Sequence, residues 1–449
     1  MGVADSRNRC RVEGSDSRAA FWFDFLRPYG KKRICDLRKL YHRVSHHLVN
    51  CPNNIRRPGF SCAFLAALAI ALASPLAKGQ FLTQDHSVDQ TEIRVGMVNA
   101  QTGISNHIGS EFKEGYLAYF LRVNREGGIF GRQIRSIDFD DHFEPLETIF
   151  YTERLINTNR VFALVGYVGT ANSMTALSMI NEAGLIFLGP MTGAESLRHP
   201  VLPLVFNVRA SYAEEIESLL AYLVNGLGLK KIAVVRQNDS FGDDGFKSLT
   251  RALQSRHLEP VTDCKFVRNS VDMQPALDQI VATRPDAVII MGTLRPIVSL
   301  LERAKSTELG HTKFCSLSTI SAQMLIKAAG PTSEGMILTQ VVPSPEDASV
   351  PLVRSFQADM RASGANNLSH VSLEGYLGAM LLVDGIRRAG PNLTEQRCID
   401  ALNHTNLDLQ PLRIGWSNSD HSGSHAVFLT QIKNGKLESI QKLQPTTGH

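Results

Sequence analysis

Short apolar runs alternate with amphipathic stretches along most of this chain. The clearest example lies between Val161 and Arg198, where the runs 161–165 and 185–188 each lead into a glycine and then into small and hydroxyl residues. An apolar run of this length is typical of a parallel strand that is buried on both faces. The pattern therefore predicts strand, turn and helix twice in succession, and Met174, Leu177 and Ile180 are expected to form the core-facing side of the first helix.

Both turns of this stretch carry residues that suit contact with a ligand. Gly169 and Thr170 follow the first run, and Thr192 and Gly193 follow the second. Small residues let a ligand approach the backbone, and in a doubly wound sheet both turns lie at the carboxyl edge, where free helix N–H groups favour anions. One such turn alone is better interpreted as an ordinary connection, but two similar turns in series favour a binding site.

The alternation of strand and helix fills two consecutive regions of the chain. Strands are predicted at 93–98, 134–139, 161–165, 185–188 and 205–208 in the first region, and at 232–235, 261–267, 287–291, 314–317 and 336–342 in the second. Repeated alternation predicts a parallel sheet that is covered by helices on both faces. The expected fold is therefore α/β, with two doubly wound parallel-sheet lobes.

Pro343 and Pro345 interrupt this alternation, and the helices predicted after them have no strands of their own. Those helices are expected at 346–363, 371–389 and 394–404. We expect them to cover the first lobe, after which the segment 413–416 returns the chain to the second. A last hairpin is predicted to turn at Asn434 and Gly435. Several crossings between two lobes favour a hinge, with a small ligand in the cleft between them.

These crossings divide the chain into two ligand-binding lobes. The N-terminal lobe is predicted to contain residues 91–210 plus 343–412, and the C-terminal lobe residues 211–342 plus 413–449.

Charge is distributed unevenly along the 449 residues, whose formal net charge is +4. Residues 1–60 hold 13 Lys and Arg against 5 Asp and Glu, which leaves this extension at +8 and the remaining chain at −4. The basic excess therefore belongs to the N-terminal extension. A nucleic-acid-binding patch across the globular part is not expected.

The basic extension leads into a segment with the order of a secretory signal peptide. Arg56 and Arg57 precede an almost wholly apolar run at 60–72, and the small residues Ala77 and Gly79 follow it. The run is too short for a comfortable membrane span. We predict a signal peptide at 56–79 with cleavage near Gly79, and a periplasmic protein.

Residues 1–55 stand before this predicted signal peptide, although a signal peptide normally begins the chain. They are rich in Arg and His and show no sustained periodicity. We interpret them as a disordered leader or the product of a misassigned start, with a regulatory extension as the alternative.

The residues that could support chemistry form no recognised catalytic or metal-binding pattern. Three cysteines follow the predicted cleavage site, Cys264, Cys315 and Cys398, and an odd, widely spaced set indicates buried thiols rather than a disulfide framework. His421 and His425 lie four apart in a Ser/Gly-rich turn, where a metal site is not expected. No nucleophile-elbow, zincin, phosphate-loop or dinucleotide motif is intact. We expect neither an enzyme nor a cofactor.

Nine ordered segments of the sequence carry a family resemblance. They are IRVGMVNAQTG, REGGIFGRQI, DFDDHFEP, FALVGYVGT, FLGPMTGAESLR, FNVRASY, IAVVRQNDSFGDDG, TQVVPSP and SLEGYLGAMLLVDGIRRAG. In this order they resemble the periplasmic solute-binding proteins of the leucine/isoleucine/valine-binding type, over residues 91 to 440. Any single segment is a weak signal, whereas nine in register are specific.

This resemblance implies the type I periplasmic binding protein fold, with a three-crossing hinge near residues 210, 343 and 413. It implies a monomer that binds a small organic solute and delivers it to the membrane permease of an ATP-driven importer. A ligand sensor of the same fold for a signalling partner is the alternative, and a two-domain α/β enzyme is the less favoured one.

The resemblance also implies the ligand contacts. Thr170 stands where the family presents a serine to the ligand carboxylate, Thr192 lies one residue from the family's threonine, and Phe241 replaces a tyrosine across the cleft. The full set of ligand-binding residues that we expect is Gln101, Thr102, Thr170, Ala171, Met191, Thr192, Gly193, Phe241, Thr293, Leu294 and Ser318.

Ser318 stands where branched-chain amino-acid binders carry the acidic residue that meets the ligand's ammonium group. An ammonium group that leaves water needs a carboxylate or an equivalent partner. We therefore expect an acid, an amide or an aromatic solute rather than an ordinary α-amino acid.

Overall fold

The structure is a computed structural model that describes residues 88–440. The predicted leader at 1–55, the predicted signal peptide at 56–79 and the last nine residues lie outside the described residues. All structural statements below concern residues 88–440.

The first lobe is built on a five-stranded parallel sheet. Its strands are β1 (Glu92–Asn99), β2 (Gln133–Asp140), β3 (Ala163–Val165), β4 (Ile186–Leu188) and β5 (Val205–Phe206), in the order β2-β1-β3-β4-β5. The helices between them are α1 (Asn106–Arg125), α2 (Pro145–Arg154) and α3 (Thr170–Ala183). β3, β4 and β5 are fully buried, as the apolar runs predict.

The second lobe repeats the alternation with strands of four to six residues. Its parallel strands are β6 (Ile232–Gln237), β7 (Thr262–Phe266), β8 (Ala287–Met291), β9 (Lys313–Ser316) and β10 (Ile337–Gln340). Its helices are α4 (Tyr212–Leu220), α5 (Ser240–Gln254), α6 (Gln274–Thr283), α7 (Leu294–Ala304) and α8 (Ala322–Ala329). The doubly wound α/β fold with two lobes is confirmed.

The chain after β10 contributes to both lobes. It forms α9 (Pro351–Ser363), α10 (His370–Ala389), α11 (Glu395–Leu402), β11 (Asn406–Asp408), β12 (Arg413–Ser417), β13 (Asp420–Gly423), β14 (Phe428–Lys433) and β15 (Lys436–Ser439). β14 and β15 extend the second sheet with antiparallel pairs, to the order β15-β14-β10-β9-β8-β6-β7. The predicted hairpin turn is present, with Asn434 and Gly435 both at positive φ.

The late helices cover the first lobe, as expected, and α10 packs most closely on α1. A methyl group added at Gly115 would lie 1.9 Å from the carbonyl oxygen of Ser372, and one added at Gly375 would lie 2.1 Å from that of Phe112. Only glycine allows the two helix backbones to approach this closely. α10 thereby becomes the central buried helix of this lobe.

The third crossing of the chain corrects one expectation. Residues 413–423 were assigned to the second lobe, but β12 and β13 pair with β11 and lie against the first lobe. The rings of Trp416 and His421 lie 5.3 and 4.2 Å from the ring of Phe206, and the Trp416 indole donates to the carbonyl of Asn207 at 2.8 Å. This aromatic contact holds the segment on the first lobe, and the crossing to β14 falls at residues 424–427.

The face predicted for α3 is also wrong at one position. Met174 is 38% exposed, whereas Asn172, Ala176 and Ile180 are buried. The predicted face began on an apolar residue, but the polar Asn172 is drawn inward because its side chain donates to Asp141 and Thr148.

The three cysteines of the described region are free and buried, as predicted. Cys264 and Cys315 lie in the second lobe and Cys398 in the first. Among the helices of residues 88–440, none combines the length and the apolar content needed to span a membrane.

Candidate functional site

Three hydroxyl groups from separate elements meet where the two lobes join, and we call Thr170, Thr192 and Tyr212 the hydroxyl cluster. The Thr170 and Thr192 hydroxyls are 2.7 Å apart, and the Tyr212 hydroxyl lies 3.5 Å from Thr170 and 3.2 Å from Thr192. All three side chains are buried. The two threonines come from the predicted turns after β3 and β4, and the tyrosine begins the first helix of the second lobe.

Glycines and backbone bonds bring these turns together. Val168 and Met191 form a bridge between the turns, and Gly169 N–H donates to the Met191 carbonyl at 3.2 Å. The Tyr212 N–H donates to the Gly193 carbonyl at 2.7 Å, and a methyl group added at Gly193 would lie 2.6 Å from the Tyr212 nitrogen. Gly193 is therefore required by the close approach of Tyr212 rather than by a turn of unusual φ.

Phe241 of the second lobe lies against the hydroxyl cluster. It is the second residue of α5, which is capped by Asp239 accepting from the N–H groups of Phe241 and Gly242. The Phe241 ring lies 5.2 Å from the Tyr212 ring, and Phe241 is buried. The structure thus brings together Thr170, Thr192 and Phe241, which the sequence assigned to opposite walls of a cleft.

Four charged side chains are buried beside the hydroxyl cluster, and we call Arg198, Arg209, Glu215 and Glu374 the ionic cluster. Arg209 Nη2 lies 3.2 Å from Glu215 Oε1, and Arg209 Nη1 lies 3.6 Å from Glu374 Oε1. Burial raises the pKa of the Tyr212 hydroxyl, and the Arg209 guanidinium works against that rise. The two clusters are therefore electrostatic neighbours.

Ser318 belongs to this ionic cluster. Its backbone N–H donates to Glu215 Oε2 at 2.8 Å, and its hydroxyl accepts a short hydrogen bond from Arg209. The hydroxyl of Thr339 also donates to Glu215. Glu215 therefore receives donors from three residues, and Ser318, the position that lacks an acidic side chain, contacts the carboxylate of Glu215 from another element.

Glu374 is placed very differently from Glu215. Its carboxylate accepts no hydrogen bond from any described residue, and the 3.6 Å contact with Arg209 is its ion pair. Burial raises the pKa of Glu374 to about 7, and this rise is opposed chiefly by Arg209 and reinforced by Glu215. Glu374 is therefore the carboxyl group of the cluster that changes charge near neutral pH.

The remaining predicted residues occupy other surroundings. Gln101 N–H donates to Asp140 at 2.9 Å, and the Thr102 hydroxyl donates to the same carboxylate at 2.5 Å. Ala171 is partly exposed, and Met191 is buried in the core of the first lobe. None of these four has a hydrogen bond to the hydroxyl cluster. Their contact with a ligand stays a prediction.

Thr293 and Leu294 lie at the start of α7 in the second lobe. The Thr293 hydroxyl is buried without a hydrogen-bond partner among the described residues. Leu294 contributes to the core and also lines a cavity of about 440 Å³ between the lobes, together with Ile104, His107 and Arg295. Burial, and then the charge of Arg295, lowers the pKa of His107 to about 4, which keeps its imidazole neutral.

A second contact joins the lobes farther from the hinge, and we call Arg268, Phe143 and Asn172 the rim contact. The Arg268 guanidinium donates to the Phe143 carbonyl at 2.5 Å and to Asn172 Oδ1 at 2.8 Å, and it lies 3.9 Å from the centre of the Phe143 ring. Nearby, Asn269 donates to Glu144 at 2.8 Å. The structure is therefore a closed arrangement of the two lobes.

The sequence did not single out the ionic cluster or Tyr212. Arg209 and Tyr212 stand in the segment FNVRASY, and Glu374 stands in SLEGYLGAMLLVDGIRRAG. A signal was present, because a charged residue inside an apolar helix such as α10 is costly unless it is paired. Within residues 88–440, no three His, Cys, Asp or Glu residues are placed to hold a metal ion.

Comparison with known proteins identifies the family. The family profile described as "Periplasmic binding protein" matches residues 92–436. An "Amino acid binding protein" of Pseudomonas aeruginosa is 25% identical over 242 residues, which cover 53% of this chain and 64% of that protein. The match therefore spans slightly less than two thirds of this curated relative.

Solved structures share the fold over most of the described chain. A possible leucine/isoleucine/valine-binding protein from Rhodopirellula baltica superposes with a TM-score of 0.74 at 30% identity, covering 79% of this chain and 97% of that one. A solute-binding protein of an ABC transporter from R. palustris, solved with benzoate, superposes with a TM-score of 0.70 at 19% identity, covering 78% and 95%. These relatives are solute-binding proteins and not enzymes. The chain belongs to the periplasmic binding protein family and is of the leucine/isoleucine/valine-binding type.

Proposed function

We propose that this protein binds a small organic solute between its two lobes, outside the cytoplasm, and delivers it to the permease of an ATP-driven importer. The solute is an acid, an amide or an amino-acid-like compound. The observation that carries this proposal is the hydroxyl cluster, in which polar groups of both lobes converge under the ring of Phe241.

The geometry favours binding that is coupled to closure. Thr170 and Thr192 belong to the first lobe, whereas Tyr212 and Phe241 belong to helices of the second. A ligand that contacts both walls stabilises the closed state, because the open state offers it one wall at a time. Closure would then report occupancy to the permease.

The route to the membrane also belongs to this proposal. The predicted signal peptide at 56–79 would export the chain, and the match to the periplasmic binding protein family supports that location. We expect the exported protein to be a monomer. Amino-terminal sequencing of exported protein and light scattering measure the two expectations, and a mature chain that begins upstream of residue 60 would contradict the first.

Ligand binding is tested by a thermal-shift screen of amino acids, amides, and aliphatic and aromatic acids. A ligand at about 100 times its dissociation constant stabilises the folded state by about 2.7 kcal/mol, which is visible as a raised melting temperature. Thr170→Ala and Phe241→Ala should each reduce the shift. Thr175→Ala on the same helix and Phe150→Ala at an exposed ring are the matched controls, because neither residue joins the cluster.

Two outcomes would contradict the assignment. Equal affinity in Thr170→Ala, Phe241→Ala and the unchanged protein would place the ligand elsewhere. Chemical conversion of a bound ligand would indicate an enzyme. Import is tested separately, by uptake of the labelled ligand into cells with and without this gene, and equal uptake would leave binding without transport.

A further inference from the structure

The cavity that Leu294 lines between the lobes, which we call the interlobe cavity, is separate from the hydroxyl cluster and the ionic cluster. Its wall in the first lobe consists of Ile104, Asn106 and His107, at the start of α1. Its wall in the second lobe consists of residues of α7 and α8 together with Val271. No residue of either cluster lines it. Its volume of about 440 Å³ lies in the range of small-molecule sites, about 300–1,000 Å³.

His107 is a buried side chain of this cavity that makes no hydrogen bond. Only 8% of its surface is exposed, and its Nε2 atom is enclosed without a partner. Among residues 88–440, neither nitrogen of its ring has a hydrogen-bond partner. Buried polar groups in proteins are normally paired, because an unpaired one destabilises the folded state. The imidazole of His107 therefore indicates that an occupant of the cavity supplies its partner.

The start of α1 provides a second unpaired group beside the cavity. The N-cap residue Ser105 makes no side-chain hydrogen bond to the helix, and its hydroxyl is buried without a partner among the described residues. The first turn of α1 contains no acidic residue. Helices normally satisfy their first N–H groups through such side chains. Since Ile104 and Asn106 on either side of Ser105 line the cavity, the polar end of α1 faces a space that a ligand can fill.

The lining of the interlobe cavity carries no net charge. Arg295 and Glu302 are its charged residues, they have opposite signs, and both are exposed to solvent. The imidazole of His107 is neutral at neutral pH, because burial and then the charge of Arg295 lower its pKa to about 4. A charged group that entered the cavity would lose its hydration without gaining a buried counter-charge. The cavity therefore favours an uncharged occupant.

Apolar side chains form most of the wall in the second lobe. They are Val271, Leu294, Val298, Met324 and Ala328. The hydroxyl of Ser299 donates to the carbonyl of Val271 at 2.8 Å, which holds Val271 against α7. An apolar body that packs on this wall leaves water. A hydroxyl group on that body suits His107, because a hydroxyl both donates and accepts and so pairs with either tautomer of the imidazole.

We propose that the interlobe cavity is a second ligand site, that it binds a small uncharged apolar molecule with a hydroxyl group, such as an alkylphenol, and that this ligand holds the two lobes together. The hydroxyl pairs with His107 of the first lobe, and the apolar body packs on α7 and α8 of the second. The ligand favours the closed state because only that state offers it both walls. This site goes beyond solute binding at the hydroxyl cluster and does not require it.

The test compares two probes that differ only in the hydroxyl group, 4-ethylphenol and ethylbenzene. Isothermal titration calorimetry of the full chain measures the affinity of each. 4-Ethylphenol should bind at least about fivefold more tightly than ethylbenzene, because its hydroxyl gives His107 the missing partner. No binding of either probe at about 1 mM would overturn the proposal.

A variant in the first lobe isolates the contact with the hydroxyl. His107→Phe keeps an aromatic ring but removes both nitrogens, so the two probes should bind to it with equal affinity. His311→Phe is the matched control, because His311 is an exposed histidine that does not line the cavity. It should keep the preference for 4-ethylphenol. A preference that persists in His107→Phe would overturn the role of His107.

A variant in the second lobe tests the opposite wall. Val298→Trp fills part of the cavity from α7 and should weaken both probes by at least about tenfold, because the larger side chain occupies their space. If Thr170→Ala abolished binding of 4-ethylphenol and Val298→Trp did not, the phenol would lie at the hydroxyl cluster. That result would overturn the second site and leave the proposed function intact.

The coupling to closure is tested at the rim contact. Arg268→Ala removes hydrogen bonds that join the lobes, and it should weaken 4-ethylphenol at least about twofold as open molecules accumulate. Arg284→Ala, whose ion pair with Glu308 lies within one lobe, should leave the affinity unchanged. Equal affinity in Arg268→Ala and Arg284→Ala would overturn the role of this ligand in closure.

The charge of the ligand is tested with 4-ethylbenzoate. Its carboxylate should not be tolerated in the interlobe cavity, so any binding of this probe should be unaffected by His107→Phe. Binding that is tighter than that of 4-ethylphenol and is lost in His107→Phe would overturn the uncharged class. Circular dichroism and melting temperature verify that each variant is folded.

Discussion

Two arginines join the lobes, and their surroundings are opposite. Arg209 of the ionic cluster is wholly buried near the hinge and pairs with two buried carboxylates. Arg268 of the rim contact keeps 15% of its side chain exposed, pairs with Asp239 of its own lobe, and reaches a carbonyl, an amide and the aromatic face of Phe143 in the first lobe. The ionic cluster is closed to water, whereas the rim contact is partly exposed to it.

Because of this difference, the two contacts are suited to different roles. A charge pair in a dry interior must stay assembled, since removing either partner leaves an uncompensated charge. The partly exposed guanidinium at the rim can exchange its acceptors in the first lobe for water more easily than Arg209 can, because it keeps its ion pair with Asp239 of its own lobe. The ionic cluster is thus suited to hold the hinge, and the rim contact is suited to open and close.

Removing the inner arginine should have the largest effect. Arg209→Ala leaves Glu215 and Glu374 buried without their cation, and breaking a buried pair in this way costs about 3–5 kcal/mol. Urea denaturation at neutral pH measures the free energy of unfolding. A loss below about 1 kcal/mol would show that water reaches the ionic cluster and that the contrast with the rim is false.

A pH-dependent effect should follow from Glu374. Its pKa rises from 4.5 to about 7 on folding, so its contribution to stability is complete below pH 4.5 and is lost as the pH rises through about 7. Glu374→Gln removes this loss. The variant should therefore gain stability relative to the unchanged protein between about pH 5 and pH 8, by at most about 3 kcal/mol.

Denaturation of both proteins across that range measures the difference. A difference in the free energy of unfolding that stays constant with pH would contradict the raised pKa of Glu374. Glu217→Gln is the matched control, because Glu217 is an exposed carboxylate of α4 that pairs with Arg256 and should not reproduce the trend.

The smallest effect on stability is expected at the rim. Arg268→Ala removes the hydrogen bonds to Phe143 and Asn172 and the ion pair with Asp239, and should cost about 1–2 kcal/mol. Its effect on conformation should be clearer, with a larger radius of gyration in small-angle X-ray scattering as open molecules accumulate. Arg284→Ala is the matched control, because its ion pair with Glu308 is exposed and lies within one lobe. If Arg268→Ala and Arg284→Ala gave identical scattering, Arg268 would have no role in closure.

The fold was largely readable from the sequence because its strands are short apolar runs bounded by Gly and Pro. The sheet of β11, β12 and β13 could not be predicted in this way. Its strands have three to five residues, and they contain exposed residues, so that their sequences resemble loops. What holds it is the contact of Trp416 and His421 with Phe206, more than 200 residues away. No local pattern reveals such a partner.

Only some residues of the candidate site could be predicted from the sequence. Thr170, Thr192 and Phe241 lie at strand ends that the alternation marks. Arg209 and Glu374 stand far apart in sequence, and each shows only an unpaired charge in an apolar setting. The replacement of an acidic ligand contact by Ser318 stays a prediction, and the carboxylate of Glu215 that contacts Ser318 depends on packing that the sequence does not display.

The three buried cysteines can report which lobe unfolds first. Cys398 lies in the first lobe, and Cys264 and Cys315 lie in the second, all three reduced and closed to solvent. A thiol reagent can modify each only after its own lobe opens. The order in which the three sulfurs become alkylated would therefore tell whether the lobes unfold as one cooperative unit or independently.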